Sequence, residues 1–225
     1  MRIGVKPGQW GWSFDELVAS WEAAEDVGFD LLACFDHVTA SPTGAAALDA
    51  PTLLAAMAGR TEWITLAVRV LNVSLRHPFL LGGQLAVVQA ASGGRLDVGL
   101  GAGSPWLAPH DHASLGIPFP PSPERMRRLE AACRTLPALW RGDTVNEEAL
   151  GLVGASVGPI GIEPPRLVVG GTSRDTMAIA ARYAHGWNLS TPDPDGVRDG
   201  ARATRARVRG PGQDADHRGG AGVRA

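Results

Sequence analysis

The sequence predicts an α/β fold of the (β/α)8 TIM-barrel type, incomplete, with its last two strands missing. Three observations carry this. Short apolar runs without polar alternation recur along the chain, as strands buried on both faces require. Strand patterns alternate with stretches long enough for a helix, the signature of parallel βαβ units. The first strand is followed by Pro7-Gly-Gln-Trp10. The rival architecture, an open doubly wound sheet, wants a glycine fingerprint there. A complete barrel takes roughly 250 residues and eight strands, and about six strands are visible in this sequence.

The elements follow in order. Ile3 to Val5 is a short opening strand, and Ser13 caps a helix over about Phe14 to Val27 that Gly28 stops. Phe29 to Phe35 is the second strand and ends at Asp36-His37. Pro51 starts a helix, Ile64 to Leu75 is the third strand, and Pro78 opens a helix through about Ala91. Arg95 to Gly101 is the fourth strand. Ser104 to Pro123 is Pro-rich and aperiodic, and a loop that long marks a functional lid or insertion. Glu124 to Trp140 is amphipathic, although Pro137 should kink or end it. Arg166 to Val169 is a fifth strand, a helical pattern runs from Arg174 to His185, and Gly186 to Leu189 is a sixth strand.

The last segment breaks the pattern. Val197 to Ala225 holds seven arginines, no aromatic residue, and only valines as large apolar side chains. Such a stretch buries too little surface to offset its ordering entropy. The expected domains are therefore 1–196, a barrel domain, and 197–225, an Arg/Gly-rich tail without order. A basic arm that touches a partner and out-of-frame coding sequence are the alternatives for the tail.

Bulk composition narrows the class. The chain is 44% hydrophobic and 20% charged with a net charge of -2, which fits a globular domain and argues against a nucleic-acid binder. No apolar stretch is long enough for a membrane span, and Arg2, Lys6, Pro7 and Gly8 interrupt any signal-peptide core. Cys34 and Cys133 read as two buried free thiols in a reducing cytoplasm.

The chemistry gathers at strand ends. Arg95-Leu-Asp-Val-Gly-Leu-Gly-Ala-Gly-Ser104 and Arg166-Leu-Val-Val-Gly-Gly-Thr-Ser173 each hold a short apolar run that stops in glycines. Bare backbone there, followed by a capped helix start, is the usual build of an anion site. The phosphate candidates are Ala102, Gly103 and Ser104 in the first loop, and Gly170, Gly171, Thr172 and Ser173 in the second, with Arg174 as a source of charge. His37 can titrate near neutral pH and Asp36 stands beside it. Arg69 is out of place in its apolar strand, as a ligand contact or a paired structural arginine. His110-Asp-His112 has a metal-like spacing but lacks further ligands, so a solvated loop and no metal site are expected. Trp10 and Trp106 are candidate pocket walls.

Taken in order, Ala24-Glu-Asp-Val-Gly-Phe-Asp30, Asp36-His37, Arg76-His-Pro78, Ser92-Gly-Gly-Arg-Leu-Asp-Val-Gly-Leu-Gly-Ala-Gly-Ser104, Leu139-Trp-Arg-Gly-Asp143, Pro165-Arg-Leu-Val-Val-Gly-Gly171 and Ala181-Arg-Tyr-Ala-His-Gly-Trp-Asn188 resemble the bacterial luciferase-like monooxygenase family, in its coenzyme F420 branch. The resemblance implies a (β/α)8 barrel that binds F420, or alternatively reduced FMN, at the carboxyl ends of its strands. It implies an oxidoreductase acting on a small organic substrate, by hydride transfer with F420 or with oxygen and reduced FMN. It places the cofactor phosphate at both glycine loops. It also implies a non-proline cis peptide under the ring near Val68-Arg69-Val70. His37 then donates a proton or stabilises the reduced ring, and Asp36 orients it or bonds the cofactor. Family members often dimerise through helices beside the barrel, so a homodimer is the protein partner to expect. Nothing after Asp195 resembles the family's last two strands, and a non-catalytic truncated remnant is the alternative.

Overall fold

Local punctuation sets the helix limits in the computed structural model, which describes residues 2–39, 44–158 and 160–190. The expected tail, 197–225, lies outside the described residues. Helix α1 (Phe14–Val27) begins in a capping box between Ser13 and Glu16 and ends at Gly28 in the left-handed conformation. Helix α2 (Ala50–Arg60) is capped by Asp49, whose carboxylate accepts from the Thr52 amide. Helix α3 (Pro78–Ala91) starts on Pro78, where a missing N–H costs nothing.

Six parallel strands form the main sheet: β1 (Gly4–Val5), β2 (Leu31–Cys34), β3 (Thr65–Asn72), β4 (Leu96–Gly101), β7 (Arg166–Gly170) and β8 (Gly186–Asn188). Each pairs with its neighbour in chain order, β1-β2-β3-β4-β7-β8. That order and the parallel registers make a curled half-barrel, a (β/α)8 barrel carried through six strands. Leu32, Leu66, Val68, Leu71, Val98, Leu100, Leu167 and Val169 are buried in the strands and pack with Trp21, Leu54, Leu85, Leu136 and Trp140 of the helices. Burial at this density is the main force holding the layers together. Cys34 and Cys133 are buried free thiols. Among the described residues no helix is long and apolar enough to cross a membrane.

Three regions depart from the expectation. The Pro-rich stretch contains a helix, α4 (Ala108–Ser114), whose Asp111 and His112 are buried rather than solvated. Helix α5 (Ser122–Arg141) does not end at Pro137 but continues to its cap at Gly142. Leu136, Leu139 and Trp140 are buried there, and the Trp140 indole donates to the Gly82 carbonyl, so tertiary packing outweighs the lost backbone bond. An antiparallel hairpin, β5 (Val145–Glu147) with β6 (Leu152–Ala155), is inserted before β7. Helix α6 (Arg174–Tyr183) follows β7.

Candidate active site

The carboxyl ends of all six parallel strands open into one cavity of about 1000 Å3, where barrel enzymes assemble their chemistry. Lys6 and Trp10 reach it after β1, Asp36 and His37 after β2, and Val70 and Asn72 from the end of β3. The loop from Ala102 to Trp106 follows β4, Gly170 to Ser173 follow β7, and Asn188 ends β8. Of the residues singled out in the sequence, Asp36, His37, Arg69, Val70, Ala102, Gly103, Ser104, Gly170, Gly171, Thr172 and Ser173 all line this cavity. Val68 does not: its side chain is fully buried in the core. Arg174 is exposed and also absent from the lining.

Position 70 explains several glycines. Strand β3 bulges against β4, since Val68 pairs with Val98 but Leu71 pairs with Leu100. Two residues, Arg69 and Val70, thus oppose Gly99, and the peptide joining them is cis. Val70 projects into space that only glycine neighbours leave. A Cβ at Gly101 would lie 2.5 Å from Val70, one at Gly170 2.8 Å, and one at Gly99 would run into the Val68 carbonyl. These glycines therefore serve packing under the cavity first. Arg69 is both paired and pocket-lining: its guanidinium lies 3.2 Å from Asp97.

His37 is held by residues the sequence did not connect to it. Its Nδ1 lies 2.8 Å from the Asp111 carboxylate, 74 residues away on α4. The imidazole is 21% exposed and Asp111 only 1%. The ring stacks on Trp10 with centroids 5.5 Å apart. Burial alone would raise the Asp111 carboxyl, but hydrogen bonds from His37, Thr39 and the Val38 and Thr39 amides together hold it below the usual carboxylate range.

Asp36 does not orient His37. Its carboxylate accepts from the Asn72 amide at 2.9 Å and pairs with Arg76, which also holds Asp49. Burial pushes the Asp36 carboxyl upward despite that guanidinium. The role expected of Asp36 therefore passes to Asp111, and Asp36 instead ties the end of β2 to β3. Asn72 extends this network to His112, whose Nδ1 meets the Pro118 carbonyl at 2.8 Å. No group of three or more His, Cys, Asp or Glu residues is placed to hold a metal among the described residues.

The glycine loops offer a different surface. Gly103 has a positive φ of 81°, and a Cβ there would crowd Asn72 and Ala108. Gly171 is not a free donor, because its amide is spent on the Asn188 carbonyl at 3.2 Å. The amides of Thr172, Ser173, Arg174 and Asp175, by contrast, have no acceptor among the described residues. They open the first turn of α6, where Ser173 caps the Thr176 amide at 3.1 Å. A helix start with free amides attracts an anion. Arg125 on α5, unremarked in the sequence, donates Nη1 to the Ala102 and Gly103 carbonyls at 3.1 and 2.7 Å. It stacks on Phe119, lines the cavity and has no carboxylate partner among the described residues.

A half-barrel with a cavity at its strand ends, a histidine on one side and bare loops on the other defines an α/β barrel protein with a ligand-sized pocket where barrel enzymes keep theirs. The chain belongs to the luciferase-like monooxygenase family, whose model matches residues 1–223. It is similar to F420-dependent glucose-6-phosphate dehydrogenases. Identity to that of Beutenbergia cavernae is 33% over 147 residues, covering 64% of this chain and 43% of the relative. Identity to that of Microbacterium testaceum is 27% over 200 residues, covering 87% and 58%. The chain thus spans about half the length of these relatives. The fold matches coenzyme F420 dependent tetrahydromethanopterin reductase from Methanopyrus kandleri with a TM-score of 0.76 at 18% identity, covering 92% of this chain and 61% of that one. It also matches EDTA monooxygenase from a Chelativorans species with a TM-score of 0.74 at 21% identity, covering 93% and 60%.

Proposed function

We propose that the cavity binds coenzyme F420 and serves an oxidoreductase reaction in which a hydride moves between a small organic substrate and the deazaflavin. The reading rests on one convergence: unsatisfied amides at the start of α6 and a carboxylate-braced histidine open into the same cavity. The similarity to F420-dependent dehydrogenases favours F420 over FMN. The residues present fit a phosphorylated ring cofactor. The amides of Thr172 and Ser173, the hydroxyls of Ser104 and Thr172, and Arg125 would hold the phosphate. Trp10, Phe35 and Val70 supply apolar surface for a ring. The bound deazaflavin supplies hydride chemistry, and the protein supplies position, electrostatics and exclusion of water. His37 handles the substrate proton at Nε2, which has no partner among the described residues. A cytoplasmic location and a homodimer belong to the same reading, the first resting on the two buried thiols.

Tryptophan fluorescence tests it, since Trp10 and Trp106, two of seven tryptophans, line the cavity. Titration with F420 should quench saturably and more tightly than titration with FMN. Tighter quenching by FMN transfers the reading to the flavin version, and quenching by neither overturns both.

A further inference from the structure

We infer that Lys6 and Arg69 form an oxyanion subsite on the axis-facing side of β1 and β3, apart from the amides that open α6, and that the substrate carries the carboxylate or phosphate it holds. The assignment to substrate rests on the reading of the cavity given above; the subsite itself does not.

Side chains alternate across a strand, so each residue that packs on the helices leaves its neighbour facing the barrel axis. Val5, Val68 and Val98 pack with the core, and Lys6, Arg69 and Asp97 therefore face the axis. A barrel interior is ordinarily filled by branched apolar side chains. Here that face carries cations in excess. Arg69 lies 3.2 Å and Arg166 3.9 Å from Asp97, the one carboxylate within ion-pair distance of either among the described residues. Burial first, and the nearby Arg166 and Arg2 guanidiniums as well, draw Arg69 below the usual arginine range against the hold of Asp97.

Lys6 is exposed just past the end of β1, lines the cavity and has no partner among the described residues. Val5 pairs with Leu32, so Lys6 stands beside Ala33, and Ala33 pairs with Ala67, two residues before Arg69. One strand separates the two cations, which sets their backbones about 10 Å apart. Two long side chains can close that span on one small anion. Arg69 donates from Nη1 to the Val68 and Asp97 carbonyls and from Nη2 to the Asp97 carboxylate. Of its five N–H donors, Nε–H and one Nη2 hydrogen keep no acceptor among the described residues. The carboxylates that line the cavity, Asp36 and Asp111, are already engaged, the first by Arg76 and the second by His37, Val38 and Thr39. The counter-charge for Lys6 and the spare Arg69 donors therefore comes from a ligand, and a carboxylate or phosphate oxygen makes the strongest hydrogen bonds to such donors. Arg125 and the start of α6 take the cofactor phosphate on the β4 and β7 side, which leaves the β1 and β3 side to the substrate.

Lysine NMR reads the subsite directly, because Lys6 is the single lysine of the chain and gives one side-chain signal. The full 225-residue protein, labelled with 13C at lysine Cε, is titrated with inorganic phosphate and with acetate at neutral pH, with chloride holding the ionic strength constant. The Lys6 signal should shift saturably, and the tighter of the two anions assigns phosphate or carboxylate. Arg69→Gln should weaken that response about tenfold or more. A Lys6 signal that follows neither anion overturns the inference, even if Arg69→Gln does not fold. A folded Arg69→Gln chain with the wild-type response also overturns it. The titration is then repeated at saturating F420. A response that persists supports a substrate group at Lys6. A Lys6 signal moved by F420 itself and indifferent to further anion gives the subsite to the coenzyme and overturns the substrate assignment. If F420 does not bind while phosphate or acetate still shifts Lys6, the coenzyme reading falls and the subsite stands.

Discussion

The His37 side of the cavity is made of side-chain polar groups that meet partners, whereas the β4 and β7 loops meet the cavity largely with backbone. On the first side Arg76 answers Asp36 and Asp49, and Asp111 answers His37. On the second side Ser104, Thr172 and Ser173 offer hydroxyls, α6 offers unsatisfied amides, and Arg125 has no carboxylate to balance it. The contrast suits two tasks. A filled network fixes one geometry, which a proton-transfer group needs. Uncompensated donors wait for an anion from outside.

Breaking the matched side should cost most. Arg76→Ala leaves Asp36 buried without its guanidinium, and removing one partner of a buried pair costs about 3–5 kcal/mol. Urea unfolding at neutral pH measures it. The penalty falls on the charged carboxylate, whose folded pKa is already raised by burial and rises further without Arg76, so it is full only above the variant's folded value. It should shrink as pH falls through that value and be gone below the wild type's own raised folded value.

The glycines under the cavity come next. Gly170→Ala drives a methyl into Val70 and should cost about 1–3 kcal/mol of stability, the usual penalty of overpacking. Val70→Ala in the same chain should recover part of that loss. Additive losses in the double mutant would show that the two side chains do not meet.

Arg125→Met tests the open side. A charge-assisted hydrogen bond contributes about 1.5–3 kcal/mol, so F420 should bind at least about tenfold more weakly. The loss should fall as salt is added, and an unchanged affinity would remove Arg125 from the anion grip.

Ser173→Ala should have the smallest effect, about 1 kcal/mol of stability, by uncapping the Thr176 amide. Thermal unfolding reads it.

The two sides also differ in how far the sequence reveals them. The glycine loops are local signals: a strand, a bare turn and a capped helix start lie within one short stretch, and the structure brings both loops to one cavity. Helices α1 and α3 were legible for the same reason, through Ser13, Gly28 and Pro78. The matched side depends on partners far apart in the chain. His37 and Asp111 are 74 residues apart, and Asp36 and Arg76 are 40 apart. No spacing rule links such pairs. Helix α4 was hidden because it is only seven residues long, contains Pro109 and lies in a Pro-rich stretch. The one signal near Asp111, two histidines flanking a carboxylate, reads as a solvated loop once further metal ligands are missing, and nothing in it points to His37. Arg125 was masked by the ordinary amphipathic pattern of α5.

Anion capture by the β4 and β7 loops and the start of α6 is what binds the cofactor in the proposed function. Quenching of tryptophan fluorescence by F420 and by the same deazaflavin without its phosphate measures this most directly. Saturable binding of F420 that weakens at least about tenfold when the phosphate is removed is the predicted result. Equal affinity for the two would contradict it.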